Sequence, residues 1–286
     1  MKQSNFFLLL LFIWMSICMV NAQQTKIPEI KKGYAKLKDL NMYYEIHGEG
    51  PPIILLHGAY MTMEGMMREY AAELSKTRKV ILTEFQSHGR TTDVSNRDIT
   101  YEGLADDVSA LLQYLKIDST DVFGYSLGGG VALQMAIRHP KMVKKVICLS
   151  ANYSDDGLQP AFKPLVPTMT VEMFEGSSFK REYDSLAPNK KNFPILFEKL
   201  KKLDMTSFNW ESDYVKIKKP VLLVVGDGDI VTIEHAANML KKLGGNQPAD
   251  LGYVFNVHLA VLPNTSHLGM MKRILWTCPM IDEFLK

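Results

Sequence analysis

Residues 121–131 read Asp121-Val122-Phe123-Gly124-Tyr125-Ser126-Leu127-Gly128-Gly129-Gly130-Val131. The stretch opens on a short apolar strand, Asp121–Phe123. It closes into a helix over Val131–Arg138, which His139-Pro140 terminates. Between them lies the pattern G-x-S-x-G. A turn this tight between strand and helix forces Ser126 into a strained conformation. The flanking glycines let neighbouring backbone approach. The helix N-terminus behind the serine favours developing negative charge. A glycine-rich turn of this kind can also cradle a phosphate. The strand before it and the helix after it favour a nucleophilic serine.

Outward from this turn the pattern alternates. Pro52–Leu56, Val80–Leu82, Val143–Leu149, Pro220–Val225 and His258–Leu262 read as strands. Glu64–Lys76, Tyr101–Leu115, Glu234–Lys242 and Leu268–Leu285 carry helical spacing. Continuous apolar strands alternating with helices predict an α/β fold, a mostly parallel central sheet with helices on both faces. Tyr34–Leu37 and Met42–Ile46 predict a hairpin ahead of it. The alternation stops between Leu149 and Pro220. Residues 152–219 hold five prolines among short helical patches such as Ile195–Leu203. A structureless loop of that length is rare, so an inserted helical lid is expected. The core then falls into two parts, 33–151 and 220–286.

The first 22 residues predict an export signal. Lys2 supplies the basic start, Phe6–Val20 is apolar but for Ser16, and Val20-Asn21-Ala22 fits a cleavage site. The apolar run is shorter than the ~20 residues that span a bilayer. The expectation is cleavage, a periplasmic or extracellular location, and no stable membrane insertion afterwards. Residues 23–32 read as a linker. The whole chain has 286 residues, 47% of them apolar, and a net charge of +2. That near-neutral balance argues against nucleic acid as a partner. Beyond the leader, Cys148 and Cys278 sit in apolar runs and read as buried thiols more readily than as a disulfide. No Cys/His cluster has metal spacing, so neither metal nor cofactor is expected.

A nucleophilic serine needs a base, and the base needs a carboxylate to orient it. His267 lies in a turn-rich loop leaving the last strand at its C-terminal edge, where the catalytic groups of such sheets gather. His258, in that strand, is expected to pack, and His235 falls on a helix. Strand Val221–Val225 ends in Gly226-Asp227-Gly228-Asp229. Asp229 leads the following helix and is the preferred acid. Asp227 is the alternative, or it caps the helix or closes the turn.

With these residues in place the chain resembles the α/β-hydrolase superfamily. Four motifs match in order: Leu55-Leu56-His57-Gly58, Gly124–Gly129, Gly226–Asp229 and Ser266-His267. The resemblance implies catalytic Ser126, Asp229 and His267. It also implies an oxyanion hole from the backbone N–H groups of Ala59 and Leu127. His57 then holds its loop, and Tyr60 and Tyr125 line the substrate pocket. The loop Glu84-Phe85-Gln86-Ser87-His88-Gly89-Arg90 departs from the family's usual Asp-x-x-Gly-x-Gly, which weakens any transfer of substrate from that loop. The expected function is hydrolysis of a carboxylic ester, lactone or thioester. A cofactor-free perhydrolase, a C–C bond hydrolase and a non-catalytic binding member are the alternatives. Phe162, Phe174, Phe179, Phe193, Phe197, Phe208 and Trp210 of the insertion suggest a small-molecule substrate with an apolar group. Methionines around 61–67, 169–173, 205 and 270–271 fit the same reading, although methionine in such runs more often fills core.

Overall fold

The computed structural model describes residues 30–286, so the leader and most of the linker lie outside the described residues. Eight strands form one sheet: β1 Lys31–Lys36, β2 Asn41–His47, β3 Pro52–Leu56, β4 Lys79–Thr83, β5 Thr120–Tyr125, β6 Val143–Leu149, β7 Val221–Gly228 and β8 Val257–Ser266. Their spatial order is β1-β2-β4-β3-β5-β6-β7-β8. β2 runs antiparallel to both β1 and β4, and every other pairing is parallel. β1 starts at Lys31, inside the stretch read as linker, because Lys31 and Lys32 pair with Ile46 and Glu45.

The apolar strands are continuous because both sheet faces are covered. Along β3, Ile54 and Leu56 enter one apolar cluster while Ile53 and Leu55 enter the other. β6 does the same with Val146 and Cys148 on one face and Ile147 and Leu149 on the opposite face. Helices α1 (Met66–Leu74) and α8 (Ile274–Leu285) cover the Ile53 face. Helices α2 (Tyr101–Tyr114), α3 (Leu127–Arg138) and α7 (Ile233–Lys242) cover the Ile54 face. Cys148 and Cys278 are both free and buried, on opposite faces of the sheet, so the fold keeps them apart.

Two elements differ from expectation. The last helix is divided: a 3-10 turn over Leu268–Lys272 precedes α8. His258 does not pack inside. β8 pairs only with β7 and is the sheet edge, which leaves the His258 side chain exposed beside the rings of Phe255 and Phe284.

Residues 152–219 form 3-10 turns and three helices, α4 (Ser178–Leu186), α5 (Phe193–Met205) and α6 (Glu211–Tyr214). Ser177 caps α4 by accepting the Lys180 N–H, and Pro194 fits the first turn of α5. The segment is tied to the sheet domain by polar contacts. Glu182 accepts the Thr62 N–H at 2.9 Å and the Thr62 hydroxyl at 2.6 Å. Lys199 bonds both Asp93 carboxylate oxygens, at 2.7 and 2.9 Å. No helix among the described residues is long and apolar enough to cross a membrane.

Candidate active site

Ser126 occupies the single position between β5 and α3 and adopts φ 54°, ψ −118°. A non-glycine residue held there costs about 1–3 kcal/mol. The surrounding glycines allow it. A Cβ on Gly124 would lie 2.0 Å from the Gly128 carbonyl oxygen, and one on Gly128 would lie 2.2 Å from that of Leu56. These contacts draw the first turn of α3 against the ends of β3 and β5, so the serine projects at the C-terminal edge of the sheet.

His267 follows β8 at the same edge. Its Nε2 is 2.9 Å from Ser126 Oγ, and its Nδ1 is 2.7 Å from Asp229 Oδ1. The chain Ser126–His267–Asp229 is therefore unbroken. In the neutral tautomer that fits, Nδ1–H donates to Asp229 and Nε2 accepts from the serine. The Tyr125 hydroxyl donates to the His267 carbonyl at 2.9 Å and fixes the backbone behind the ring.

Asp229 is buried. Burial alone would raise its carboxyl. His267, the Ser150 hydroxyl and the Val231 N–H together outweigh that and hold it below its ordinary 3.8. Ser150 is a site residue that sequence reasoning missed. It ends β6 at φ 54°, and its Oγ–H donates to Asp229 Oδ2 at 2.5 Å. Its position just beyond Leu149, at the carboxyl end of the strand beside β7, was the available signal. Asp227 instead closes a turn: it accepts the N–H groups of Asn264 (2.9 Å) and Thr265 (3.0 Å). Thr232 caps α7.

Ala59 and Leu127 both line the cavity at Ser126, and neither backbone N–H has a hydrogen-bond partner among the described residues. His57 is buried behind them. Its Nδ1 contacts the Gly58 carbonyl at 2.8 Å and its Nε2 accepts the Phe85 N–H at 3.1 Å, joining two loops. Burial, and then His88, push its titration well below the ordinary value, so it stays neutral. His235 packs on Tyr153, away from the serine. The departing loop keeps its place by a buried ion pair. Glu84 accepts the Arg90 N–H and the Arg90 guanidinium at 2.5 and 2.6 Å, while Ser87 takes φ 65°.

The cavity measures about 390 Å³. Tyr60, Tyr125, Met61 and Met169 line it, with Phe162, Phe174, Phe179 and Phe208 from residues 152–219. Phe193, Phe197 and Trp210 are instead buried in the main apolar cluster. Most of the methionines expected at the mouth do other work. Met63, Met66, Met67 and Met270 fill the opposite core, and Met173 and Met205 face outward. No cluster among the described residues could hold a metal ion.

Residues 51–176 match the family model described as alpha/beta hydrolase fold. The enol-lactonase from Burkholderia xenovorans LB400 superposes with a TM-score of 0.67 at 20% identity, covering 88% of this chain and 99% of that one. The chain has the α/β-hydrolase fold. Among curated relatives, the sn-1-specific diacylglycerol lipase ABHD11 of Xenopus tropicalis is 30% identical over 46% of this chain and 41% of its own length. The 2-hydroxymuconate semialdehyde hydrolase of Pseudomonas sp. (strain CF600) is 30% identical over 36% and 38%. The chain thus spans about two fifths of the length of these curated relatives. The matched family segment ends before Asp229 and His267, so those two residues rest on the geometry of this α/β-hydrolase-fold chain itself.

Proposed function

We propose that this α/β-hydrolase-fold protein is a serine hydrolase cleaving a carboxylic ester, lactone or thioester of a small substrate with an apolar group. The observation that carries the reading is the unbroken chain from Ser126 through His267 to buried Asp229, opening on an apolar cavity. Ser126 Oγ attacks the acyl carbon as His267 Nε2 takes its proton. Asp229 holds the imidazole in register and stabilises the cation that forms. The unpartnered N–H groups of Ala59 and Leu127 receive the oxyanion, each contributing about 2.7–4 kcal/mol. His267 returns the proton to the leaving oxygen or sulfur. Water, deprotonated by the same histidine, then releases the acid.

The test is turnover of p-nitrophenyl butyrate together with labelling by a fluorophosphonate probe. Ser126→Ala should lose roughly 10⁴- to 10⁶-fold in kcat and all labelling. Activity retained in that variant sinks the proposal. A second reading, hydrolysis of a C–C bond next to a ketone, draws on the similarity to the Pseudomonas semialdehyde hydrolase. Turnover of a dienoic ketoacid with no turnover of esters would favour it. We also propose that the protein acts after export, on the strength of residues 1–22. Mass spectrometry of the exported product should find an N-terminus at Gln23.

A further inference from the structure

The cavity wall carries one carboxylate with no partner. Asp204 lies in the last turn of α5, and its position is unusual. Leu196, Phe197, Leu200 and Leu203 form the buried stripe of that helix, and Asp204 falls in the middle of the same stripe. It lines the cavity that contains Ser126 and His267. Its side chain makes no hydrogen bond or ion pair among the described residues. Burial pushes its carboxyl up to about 7. By accessible surface Asp204 is nonetheless an exposed residue. The two facts agree when that surface opens onto the cavity, since the stripe faces inward.

Two phenols share this end of the cavity. Tyr60 and Tyr101 both line it. Burial raises the titration of each, and the charge of Asp204 is the next cause in both. The Tyr60 hydroxyl is buried with no partner, and its ring is held by Phe174 at 4.6 Å. The Tyr101 ring is held by Phe208 and Trp210 at 5.2 and 4.9 Å. A buried polar group left unmatched is costly, so the Tyr60 hydroxyl, held on a rigid support beside Tyr101 and Asp204, is matched by something that enters.

We propose that Asp204, with the hydroxyls of Tyr60 and Tyr101, forms a polar subsite that receives a hydroxyl group carried by the substrate. The inference rests on the ester-hydrolase reading for its assay. A hydroxyl is the complement of this set, because it donates to the carboxylate and accepts from a phenol. The substrate class is then a hydroxylated ester or lactone with an apolar body.

Matched pairs of esters test it: ethyl esters of plain and ω-hydroxy acids of four to eight carbons, and plain against hydroxyalkyl acetates, followed by acid release. At least one hydroxylated member should exceed its plain partner by tenfold or more in kcat/KM, since sites built to bond a hydroxyl reject analogues that lack it. In Asp204→Leu that ratio should fall to about one through a rise in KM for the hydroxylated ester. Asp204→Asn should keep part of it. Asp204→Leu should also raise Tm, because an unpaired carboxyl leaves an apolar wall. No favoured pair in the wild type, a ratio unchanged in Asp204→Leu, or a lowered Tm overturns the proposal. If the wild type cleaves no ester, the ester-hydrolase reading has failed separately. Calorimetric binding of 6-hydroxyhexanamide against hexanamide to Ser126→Ala then decides the subsite, and equal affinity overturns it.

Discussion

Replacing Ser150 by alanine should lower kcat/KM by about 10- to 100-fold without touching any of the three residues in line. The figure follows from how Asp229 is held. Its Oδ1 meets His267 at 2.7 Å and the Val231 N–H at 3.3 Å. Its Oδ2 meets the Ser150 hydroxyl at 2.5 Å and the Gly226 N–H at 3.3 Å. Both amide contacts are long, so Ser150 supplies the strong bond to Oδ2. A hydrogen bond to a charged group contributes about 1.5–3 kcal/mol, and about 1.36 kcal/mol is tenfold in rate. Ser150 also lines the cavity, so a water can take the place of its hydroxyl and draw the loss toward the lower end. Folding stability should fall as well. The Asp229 carboxyl is depressed in the folded state, so its contribution is complete above its ordinary 3.8 and is lost as pH falls through the folded value. The gap in urea midpoint between wild type and variant should therefore be constant at neutral pH and narrow below 3.8. The left-handed backbone of Ser150 is a confounder, and Ser150→Gly removes it, because glycine adopts φ 54° without cost. Loss in both variants assigns the effect to the hydroxyl. Rates on p-nitrophenyl butyrate within twofold of wild type in both, with unchanged midpoints, would refute the reasoning.

Three further perturbations probe other parts of the fold. Gly124→Ala places a methyl 2.0 Å from backbone that cannot yield, and should destabilise by more than about 3 kcal/mol or prevent folding, seen in expression and thermal melts. Glu182→Ala removes both bonds from α4 to Thr62, and Tm together with KM for apolar esters reports the freed contact. An unaltered Tm there would mean that the Glu182 contact adds no stability. Glu84→Gln tests a pH slope. Burial raises the Glu84 carboxyl to about 7 against the opposing pull of Arg90. A raised acid favours the folded state below its unfolded value of 4.5 and loses that advantage as pH rises through 7. Wild-type stability should fall by about 3 kcal/mol over that window, and Glu84→Gln should flatten the fall. Identical urea profiles for the two proteins would contradict it.

The parallel sheet was legible because burial on both faces leaves a plain mark. Ile53-Ile54-Leu55-Leu56 alternates between two cores, so every position must be apolar. Ser126 was legible because a turn of one residue requires glycine at Gly124 and Gly128, whatever the substrate. His258 was misjudged for a reason of topology: an apolar run does not tell an edge strand from a central one, and β8 is an edge. The methionines stayed ambiguous because an unbranched side chain fills core and pocket equally well. Met67 in the core and Met169 at the cavity carry the same signal in sequence.

The residues that remained hidden share a physical cause. Ser150, Tyr101 and Asp204 act through contacts between segments far apart in the chain, and no backbone constraint demands their side chains. Asp204 is the instructive case. In an amphipathic helix an acid on the apolar stripe is a local contradiction, and it was readable as one: Leu196, Leu200 and Leu203 share its face. Such a contradiction has two resolutions, a buried partner or a cavity. The sequence does not choose between them, because the partner could come from anywhere in the chain. The fold chooses by leaving about 390 Å³ beside that face and no ion-pair partner for Asp204 among the described residues. An unpaired carboxyl on that stripe forgoes apolar contact that a leucine would supply. The price is consistent with a role at the site, as strain and unmet polarity are in general. If Asp204→Leu proves both more stable and less discriminating toward hydroxylated esters, the two costs belong to one residue, and the polar end of an otherwise apolar cavity is what sets the substrate.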